Sequence, residues 1–227
     1  MGSEMCIRDS AWTQGFGRWR WTLAKLVLLA IAVTAAAGAF SVLFSWYNQP
    51  FFAAGYAIPF DIRLFGLRLV AFAAWTLAAF AIGVLAGMLI RRVVPAIAAT
   101  LAVYAGLASA TALWLRQHYM TPLLTTKLNL PSSAWIVSQW YTKDGKFAFP
   151  ARGSQLVSAV SQFCPPRIGT SNLSPAQCLS QHGYTQWTSY QSGSRFWPFQ
   201  WIEGGWLLAL SVLLLAATVW LVRRRAA

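Results

Sequence analysis

Two long apolar stretches that are separated by only two residues constrain the fold of this chain most strongly. Residues 69–90 and 93–115 are almost wholly apolar, and Arg91-Arg92 is all that joins them. Each stretch is long enough to cross a bilayer, which takes about 20 apolar residues in a helix. A two-residue connection leaves no room for a folded domain, so we predict a tight antiparallel pair of transmembrane helices. Because short arginine-rich loops stay in the cytoplasm, we expect this turn on the cytoplasmic side.

The composition agrees with a membrane protein. Of the 227 residues, 57% are hydrophobic and only 10% are charged, which is too apolar for an ordinary soluble domain. The formal net charge is +13, but many basic residues stand at the ends of apolar stretches, as in the cytoplasmic loops of membrane proteins. We therefore expect membrane lipids, and no nucleic acid, as partners of these charges.

Two further stretches have the same character. Residues 26–47 are apolar and end in Trp46-Tyr47, and residues 205–227 contain an apolar run before Arg223-Arg224-Arg225. Aromatic pairs and arginine clusters mark membrane interfaces. The predicted fold class is an all-α polytopic membrane protein with four transmembrane helices, at 26–47, 69–90, 93–115 and within 205–227. Both ends of this chain are cytoplasmic in that topology.

Residues 116–204 are polar and rich in turn residues, and we predict that they form a small α+β extracytoplasmic cap. Residues 135–149 have the pattern of a hairpin around Asp144-Gly145. Apolar residues recur at helical spacing within 154–163, which predicts a short helix. Ser174-Pro175 predicts the start of a second short helix, and Gly183 predicts its end.

The cysteines of this segment, Cys164 and Cys178, predict a disulfide. Two cysteines on the oxidising side of a membrane most simply pair, and a closed loop of about 15 residues stabilises by about 3 kcal/mol in the chain-entropy model. The alternative is a metal site, but Cys164, Cys178 and His182 are too few ligands and no Cys-x-x-Cys pair is present. We expect no metal and no cofactor.

The segment before the first helix divides into two parts. Residues 5–10 are what the mosaic-end adapter of transposase-based sequencing libraries encodes, so we expect residues 1–10 to be an adapter artefact and the natural protein to extend further before Ala11. Residues 11–25 interleave tryptophan with arginine and lysine, which predicts a cytoplasmic juxtamembrane segment. Its role is either interfacial anchoring or the docking of a cytoplasmic partner.

Small residues recur four positions apart in the second and third helices. Gly83 and Gly87 lie in one helix, and Gly106 lies in the other between two alanines at the same spacing. Such spacing lets helix backbones approach closely. We predict a helix interface here, either within the chain or with a second copy.

Catalytic signatures are missing from the sequence. The four apolar cores contain no ionisable residue, which disfavours ion-coupled pumps and proton relays. The chain has no GxxxxGK[ST] loop, no HExxH and no GxSxG. We interpret His118 and His182 as structural or solvated, and we assign no catalytic residue.

Three segments resemble a known family. WTQGFGRWRWTLAKL (residues 12–26), the block from FDIRLFGLRL to IRRVVPAIAATL (residues 60–101) and YQSGSRFWPFQWIEGG (residues 190–205) are similar to blocks of bacterial type-2 ABC exporter permeases. The last block is the most specific. The chain departs from the pattern at Gly15, Leu64-Phe65 and Ser192-Gly193. Such permeases usually have six transmembrane helices, so the resemblance implies two more before Ala11.

The resemblance implies a function in transport. The chain would be the permease subunit of an exporter in a bacterial cell membrane, and a separate ATP-binding subunit would hydrolyse ATP. The permease would act as a homodimer or in a permease pair. The cytoplasmic segment would contact the ATPase, and this coupling set comprises Trp12, Gln14, Arg18, Trp19 and Arg20. The alternatives are a membrane scaffold or receptor-like protein with a binding cap and, with less support, a membrane enzyme.

Four charged residues on the outer side are candidates for a gate or for pairing within the cap. Asp61 and Arg63 are near enough in sequence for a local ion pair, whose free energy is usually no more than about 1 kcal/mol when exposed. Glu203 either pairs with Arg195 over the translocation path or is a solvated acid at the start of the last helix.

Overall fold

In a computed structural model, the structure describes residues 18–54, 60, 64–164 and 174–226. These residues form two units. The helical unit comprises the described parts of Met1–Asn48, Phe65–Leu113 and Gln200–Ala227. The α+β unit comprises the described parts of Gln49–Leu64 and Trp114–Phe199. The predicted adapter segment, residues 1–10, lies outside the described residues.

Long helices dominate the described chain. The α-helices are α1 (Arg18–Tyr47), α2 (Gln49–Ala53), α3 (Leu69–Ile90), α4 (Val93–Ala110), α5 (Arg116–His118), α6 (Ser154–Phe163), α7 (Pro175–Gln181) and α8 (Phe196–Ala226). Short 3₁₀ turns precede α3 and α8, at Phe65–Leu67 and Gly193–Arg195, and a π-helical turn, Thr111–Leu115, joins α4 to α5.

Four helical segments are long and apolar enough to cross a membrane. Their mean hydropathy lies between 1.8 and 2.4, and they span Arg20–Tyr47, Leu69–Ile90, Val93–His118 and Gly193–Arg224. The predicted class, an all-α polytopic membrane protein with a small α+β part, is confirmed.

The helix ends differ from the predicted ones. The first helix begins at Arg18 instead of residue 26, and the third continues past residue 115 through the π-helical turn into α5. The last helix begins at Phe196 instead of residue 205. Pro198 lies in the first turn of that helix, where the N–H that proline lacks would have no helical acceptor. Proline and aromatic residues therefore begin this helix, where we had predicted a connecting segment.

These longer helices include two buried charged residues. Glu203 is fully buried and lies in the last candidate span, and Arg116 is 4% exposed and lies in the third. The predicted apolar cores contain neither residue, but the longer helices of the structure bring both charges into the candidate spans. Charged side chains within membrane spans are rare and usually functional.

Helix α3 lies between α1 and α4 in the helical unit. The Phe40 and Phe72 rings are 5.4 Å apart, and the Ser41 hydroxyl donates to the Leu69 carbonyl at 3.4 Å, so the end of α1 lies beside the start of α3. The buried face of α3 consists mainly of alanines, which let neighbouring backbones approach closely. Its buried residues are Ala71, Ala74, Trp75, Ala78, Ala81 and Ile82.

The α3–α4 turn has the tight geometry that its length predicts. Arg91 adopts a left-handed conformation with φ of 55°, and its N–H donates to the Gly87 carbonyl at 3.2 Å. Arg92 is extended and precedes the first residue of α4. This hydrogen bond satisfies a carbonyl at the end of α3, as in other left-handed helix caps.

Basic residues gather at one end of the helical unit. Leu23 of α1 and Arg223 of α8 line one groove, so the start of α1 lies beside the end of α8. Because α1 and α3 are antiparallel, the α3–α4 turn lies at the same end. We call this end the basic end; its described basic residues are Arg20, Lys25, Arg91, Arg92, Arg223 and Arg224.

The α+β unit contains a four-stranded antiparallel sheet. Its strands are β1 (Leu123–Thr125), β2 (Trp135–Lys143), β3 (Lys146–Pro150) and β4 (Tyr184–Gln191), in the order β1-β4-β2-β3. The predicted hairpin is confirmed as β2 and β3. Its turn residues, Asp144 and Gly145, have φ of 51° and 76°, as a type I′ turn requires. Strands β1 and β4 were not predicted from the sequence.

Both predicted short helices of this unit are confirmed. Helix α6 has the predicted bounds, and α7 begins with a capping box in which Ser174 and Gln177 bond each other's backbone N–H groups. Gly183, with φ of 80°, follows the end of α7. The core between these helices and the sheet consists of Tyr141, Phe149, Ala159 and Leu179.

Candidate functional site

One face of α8 combines polar and small residues and is buried. Gln200, Glu203 and Gly204 lie on this face, followed by Leu207 and Ser211. Their spacing of three, four, seven and eleven residues from Gln200 places them on one side of a helix. The polar start of this face packs against α3.

The Glu203 carboxylate is the most buried charged group of the described helices, with no exposed surface. Trp75 of α3 donates its indole Nε1–H to Oε1 of Glu203 at 2.8 Å. Trp75 itself is only 6% exposed. A hydrogen bond to a charged acceptor in a desolvated place is among the stronger ones, so this contact fixes α8 against α3.

One helical turn before Glu203, the Gln200 side chain binds the start of α3. Its Oε1 accepts the Ala71 backbone N–H at 2.8 Å, and its Nε2 donates to the Phe65 carbonyl at 3.2 Å. Ala71 is the third residue of α3, so its N–H is one of the donors that an isolated helix leaves unsatisfied. The Gln200 amide therefore caps α3. We call Trp75, Gln200 and Glu203 the Glu203 site.

Aromatic rings surround Trp75. The Tyr104 ring of α4 lies edge-on at 5.5 Å, and the Trp206 ring of α8 lies edge-on at 6.1 Å. Edge-to-face pairs at such distances contribute about 0.5–1.5 kcal/mol beyond area burial. The indole that binds Glu203 is thus positioned by rings from two neighbouring helices, and a shift of α3, α4 or α8 would move it.

Gly204 allows the close approach of α8 to α3. A Cβ atom built at Gly204 would lie 2.8 Å from Cγ1 of Val70, which is shorter than any normal contact. The absence of a side chain at residue 204 therefore lets the Glu203 and Gln200 side chains reach α3.

The predicted coupling set lies at or beyond the start of α1. Trp12 and Gln14 lie outside the described residues, as do the side chains of Arg18 and Trp19, although the backbone of the latter two belongs to α1. Arg20 is exposed in the first turn of α1. This position at the basic end agrees with a coupling role but does not test it, so the role stays a prediction.

The glycines of the predicted helix interface differ in their surroundings. A Cβ atom at Gly83 would lie 3.6 Å from Cγ2 of Thr100, an ordinary contact between α3 and α4. At Gly87 and Gly106, no described heavy atom lies within 4 Å of such a Cβ. Of the three, Gly83 alone faces a described neighbouring helix of this chain.

Cys164 and Cys178 form a disulfide in the structure, with an S–S distance of 2.01 Å. The bond links the end of α6 to the middle of α7, so these two helices are covalently joined.

Among the four charged candidates, Asp61 and Arg63 lie outside the described residues.

The structure gives Arg195 and Glu203 different partners from the pair that the sequence suggested. The Arg195 guanidinium donates to the Thr121 carbonyl at 2.7 Å and to Oε1 of Gln191 at 2.8 Å. Glu203 accepts from Trp75. The other interpretation, a solvated Glu203, is wrong because this side chain is fully buried.

Sequence reasoning missed Trp75, Gln200 and Gly204. The signal was present in the Gln-x-x-Glu-Gly order of residues 200–204, which places both polar side chains on one face of a helix. The last helix was predicted to begin at residue 205 or later, so residues 200–204 were not placed on a helix. No signal in the sequence marked Trp75 among the other tryptophans.

The helices and their buried polar face define a polytopic membrane protein. Residues 4–116 match the family described as ABC-2 membrane transporter related, which is about half of the chain. The chain belongs to this family. The match includes α1, α3 and α4. Comparison with the curated proteins and with the solved structures gave no match.

Proposed function

We propose that this chain is the transmembrane permease subunit of an ATP-binding-cassette exporter. The single observation that carries the proposal is the family match over residues 4–116, because it covers three of the four candidate spans. Membership of a permease family indicates a transport subunit rather than an enzyme. ATP hydrolysis then belongs to a separate ATP-binding subunit, and export is the direction that the resemblance implies. A hydrophobic or amphipathic compound is the substrate class we propose.

The proposed location is a bacterial cell membrane with the basic end in the cytoplasm. Arginine-rich ends stay on the cytoplasmic side during insertion, and six described basic residues lie at this end. Both ends of this chain are then cytoplasmic. The α+β unit is extracytoplasmic in this orientation, where a disulfide persists.

The proposed contact with the ATPase is the segment at the start of α1. Trp12, Gln14, Arg18, Trp19 and Arg20 form the coupling set, and the exposure of Arg20 at the basic end supports it. Aromatic and arginine side chains are enriched in protein interfaces. Closure of the ATPase would move α1, and α3 would follow because α1 packs against it.

The Glu203 site would transmit this movement from α3 to α8. Trp75 and Gln200 bond α3 to α8 at two places one turn apart. Tightly bonded helices move together, so α3 and α8 form one element of the alternating-access movement in this proposal. Breaking the site would uncouple them.

We also propose that two permeases pair, as a homodimer or with a related permease. Support comes from the open surroundings of Gly87 and Gly106, which leave room for close approach by a helix from another chain. Cysteine cross-linking next to these glycines in native membranes tests the pairing.

Reconstitution with a candidate ATPase from the neighbouring reading frames tests the proposed function. Sequencing of the genomic DNA upstream of the Ala11 codon and of the neighbouring reading frames is the search for this candidate. The pair is then placed in proteoliposomes, and ATP hydrolysis is measured with and without the permease. We expect the permease to stimulate hydrolysis several-fold.

The matched variants are Arg18→Glu and Lys146→Glu, which change the net charge equally. Arg18 belongs to the coupling set, and Lys146 is an exposed residue of β3. Arg18→Glu should abolish the stimulation, and Lys146→Glu should leave it unchanged. An unstimulated ATPase would contradict the proposal and favour a membrane scaffold or receptor-like protein.

A further inference from the structure

A pocket lies between helix α6 and the strands β3 and β4 of the α+β unit. Its volume is about 400 Å³, and small-molecule sites commonly have volumes of about 300–1,000 Å³. Its lining residues are Ala148, Phe149, Ser154, Gln155, Ser158, Ala159, Gln162, Phe163 and Tyr184. Ala148 and Ala159 have the smallest side chains of this set, and longer side chains there would reduce the volume of the pocket. The sequence thus leaves room here for a small ligand.

The polar groups of this pocket are uncharged and can both donate and accept hydrogen bonds. Gln155, Ser158 and Gln162 lie three and four residues apart in α6, so they share one face of that helix. Within the part of the chain that the structure describes, the Gln155 and Gln162 amides and the Tyr184 hydroxyl make no hydrogen bond. Each of these groups offers a donor and an acceptor. They therefore suit a ligand whose own polar groups do the same.

Aromatic rings form much of the apolar lining. The Tyr184 ring lies 5.4 Å from the Phe149 ring and 5.7 Å from the Phe163 ring. The face of an aromatic ring carries partial negative charge, so C–H groups with a small positive charge pack well against it. None of the described residues that line the pocket is charged. The nearest described cation at these rings is Lys143, whose Nζ lies 4.9 Å from the centre of the Tyr184 ring.

Strand β3 beside the pocket is poorly suited to bind an extended peptide. The strand order places β3 at an edge of the described sheet. The register between β2 and β3 skips Ala148, so this residue forms a bulge, and Pro150 at the end of β3 has no N–H to donate. Bulges and prolines are features by which edge strands avoid pairing with another chain. A small polar molecule is therefore a better occupant than a peptide strand.

We propose that this pocket binds a neutral sugar ring, either as a free sugar or as one unit of a glycan. The hydroxyls of a sugar both donate and accept, which matches the Gln155 and Gln162 amides and the Tyr184 hydroxyl. The C–H groups on the face of the ring pack against the aromatic lining. All of these residues belong to the α+β unit, so this proposal does not depend on the permease function.

Saturation-transfer NMR of the full chain in phosphatidylcholine nanodiscs tests the proposal, because these lipids carry no sugar headgroup that would compete. The probes are the methyl glycosides of glucose, galactose, mannose and N-acetylglucosamine, and glucuronate is the anionic comparison. We expect transfer to at least one neutral glycoside, with an affinity that does not change with salt concentration. The matching trisaccharide separates the two sources: tighter binding than that of the single glycoside indicates a glycan unit, and equal binding indicates a free sugar.

Matched variants test the polar contacts and the pocket volume. Gln155→Ala and Gln162→Ala should each weaken binding by about fivefold, as the loss of one hydrogen bond does. Gln181→Ala is their control, since Gln181 is an exposed residue of α7 that does not line the pocket. Ser158→Trp should abolish binding by filling the pocket, whereas Val157→Trp adds a tryptophan to α6 at a residue that is 67% exposed and does not line it. Circular dichroism confirms that each variant remains folded.

Four results would overturn the proposal. They are no transfer to any of the four neutral glycosides, equal losses in Gln181→Ala and in the two pocket variants, unchanged binding in Ser158→Trp, and a preference for glucuronate that high salt removes. The last result would assign the ligand to the positive charge of Lys143 instead of the uncharged pocket.

Discussion

The indole nitrogen of Trp75 lies 2.8 Å from Oε1 of Glu203 and joins α3 to α8 by a hydrogen bond. Both side chains are buried, and Glu203 has no exposed surface. A carboxylate is costly to bury unless hydrogen-bond donors satisfy it, and the Trp75 indole offsets part of this cost for Glu203. The bond is therefore a specific link between two candidate spans.

The first prediction concerns the strength of this link. Trp75→Phe removes the donor and keeps an aromatic ring, and Glu203→Gln keeps an acceptor oxygen but removes the charge. We expect each variant to lower the free energy of unfolding in detergent. The double-mutant cycle should give a coupling energy between about 0.6 and about 1.7 kcal/mol, the average and the maximum found for hydrogen bonds between membrane helices.

Trp201→Phe is the control for this cycle. Trp201 lies on α8 two residues before Glu203 and is 62% exposed, so its loss should leave the free energy of unfolding nearly unchanged. A coupling energy near zero between residues 75 and 203 would show that the bond does not contribute to stability.

The second prediction concerns the disulfide of the α+β unit. Cys164 and Cys178 are 14 residues apart, and closure of a loop of this length stabilises by about 3 kcal/mol in the chain-entropy model. The double variant Cys164→Ser/Cys178→Ser should therefore speed amide hydrogen exchange in α6 and α7 by about a hundredfold. Unchanged exchange in the double variant would contradict a stabilising role.

The third prediction concerns alkaline pH. Burial raises the pKa of the Tyr141 hydroxyl above its ordinary value of 10.0. The folded chain then holds this proton more tightly than the unfolded chain does. The resulting stabilisation is fully present below about pH 10 and is lost as the pH rises from there through the folded-state pKa.

Tyr141→Phe isolates this contribution. The variant loses the hydrogen bond from the Tyr141 hydroxyl to Oε1 of Gln186, 3.2 Å away, so it should be less stable by about 1 kcal/mol at neutral pH. Between about pH 9 and about pH 11 its free energy of unfolding should fall less than that of the wild type. Denaturant titrations at several pH values measure both curves, and parallel curves would refute the prediction.

Hydropathy and turn residues predicted most of the fold. Four apolar stretches were visible because each is about as long as a bilayer requires or longer, and Asp144-Gly145 determined the β2–β3 hairpin through local backbone preference. Strand β4 was not predicted because its partners in β2, from Lys143↔Tyr184 to Trp135↔Gln191, are more than forty residues away in sequence. Local preference carries no information about such a partner.

The candidate site was harder to predict for a related reason. Glu203 was noticed as a charged residue, but its burial depends on where α8 begins and on the missing side chain at Gly204. Its donor, Trp75, lies 128 residues away in sequence. The chain holds thirteen tryptophans, and only the packing of α3 against α8 distinguishes this one.

The fourth prediction compares two adjacent glycines of α8. A Cβ atom at Gly204 would lie 2.8 Å from Cγ1 and 3.8 Å from Cβ of Val70, whereas at Gly205 no described heavy atom lies within 4 Å. Gly204→Ala should force α8 away from α3 and cost about 1–3 kcal/mol, as overpacking does. Gly205→Ala adds the same methyl group in open space and should be neutral or stabilise by up to about 1 kcal/mol through helix propensity.

Thermal unfolding of the two variants in one detergent measures this difference directly. Because α8 carries Glu203 and Gln200, the Gly204→Ala shift should also stretch the contacts of these residues with α3. Combined with Trp75→Phe, Gly204→Ala should therefore cost less than the sum of the two single changes, since both weaken the same contact. Strict additivity, or equal stability of the two alanine variants, would mean that the close approach at Gly204 does not position the Glu203 site.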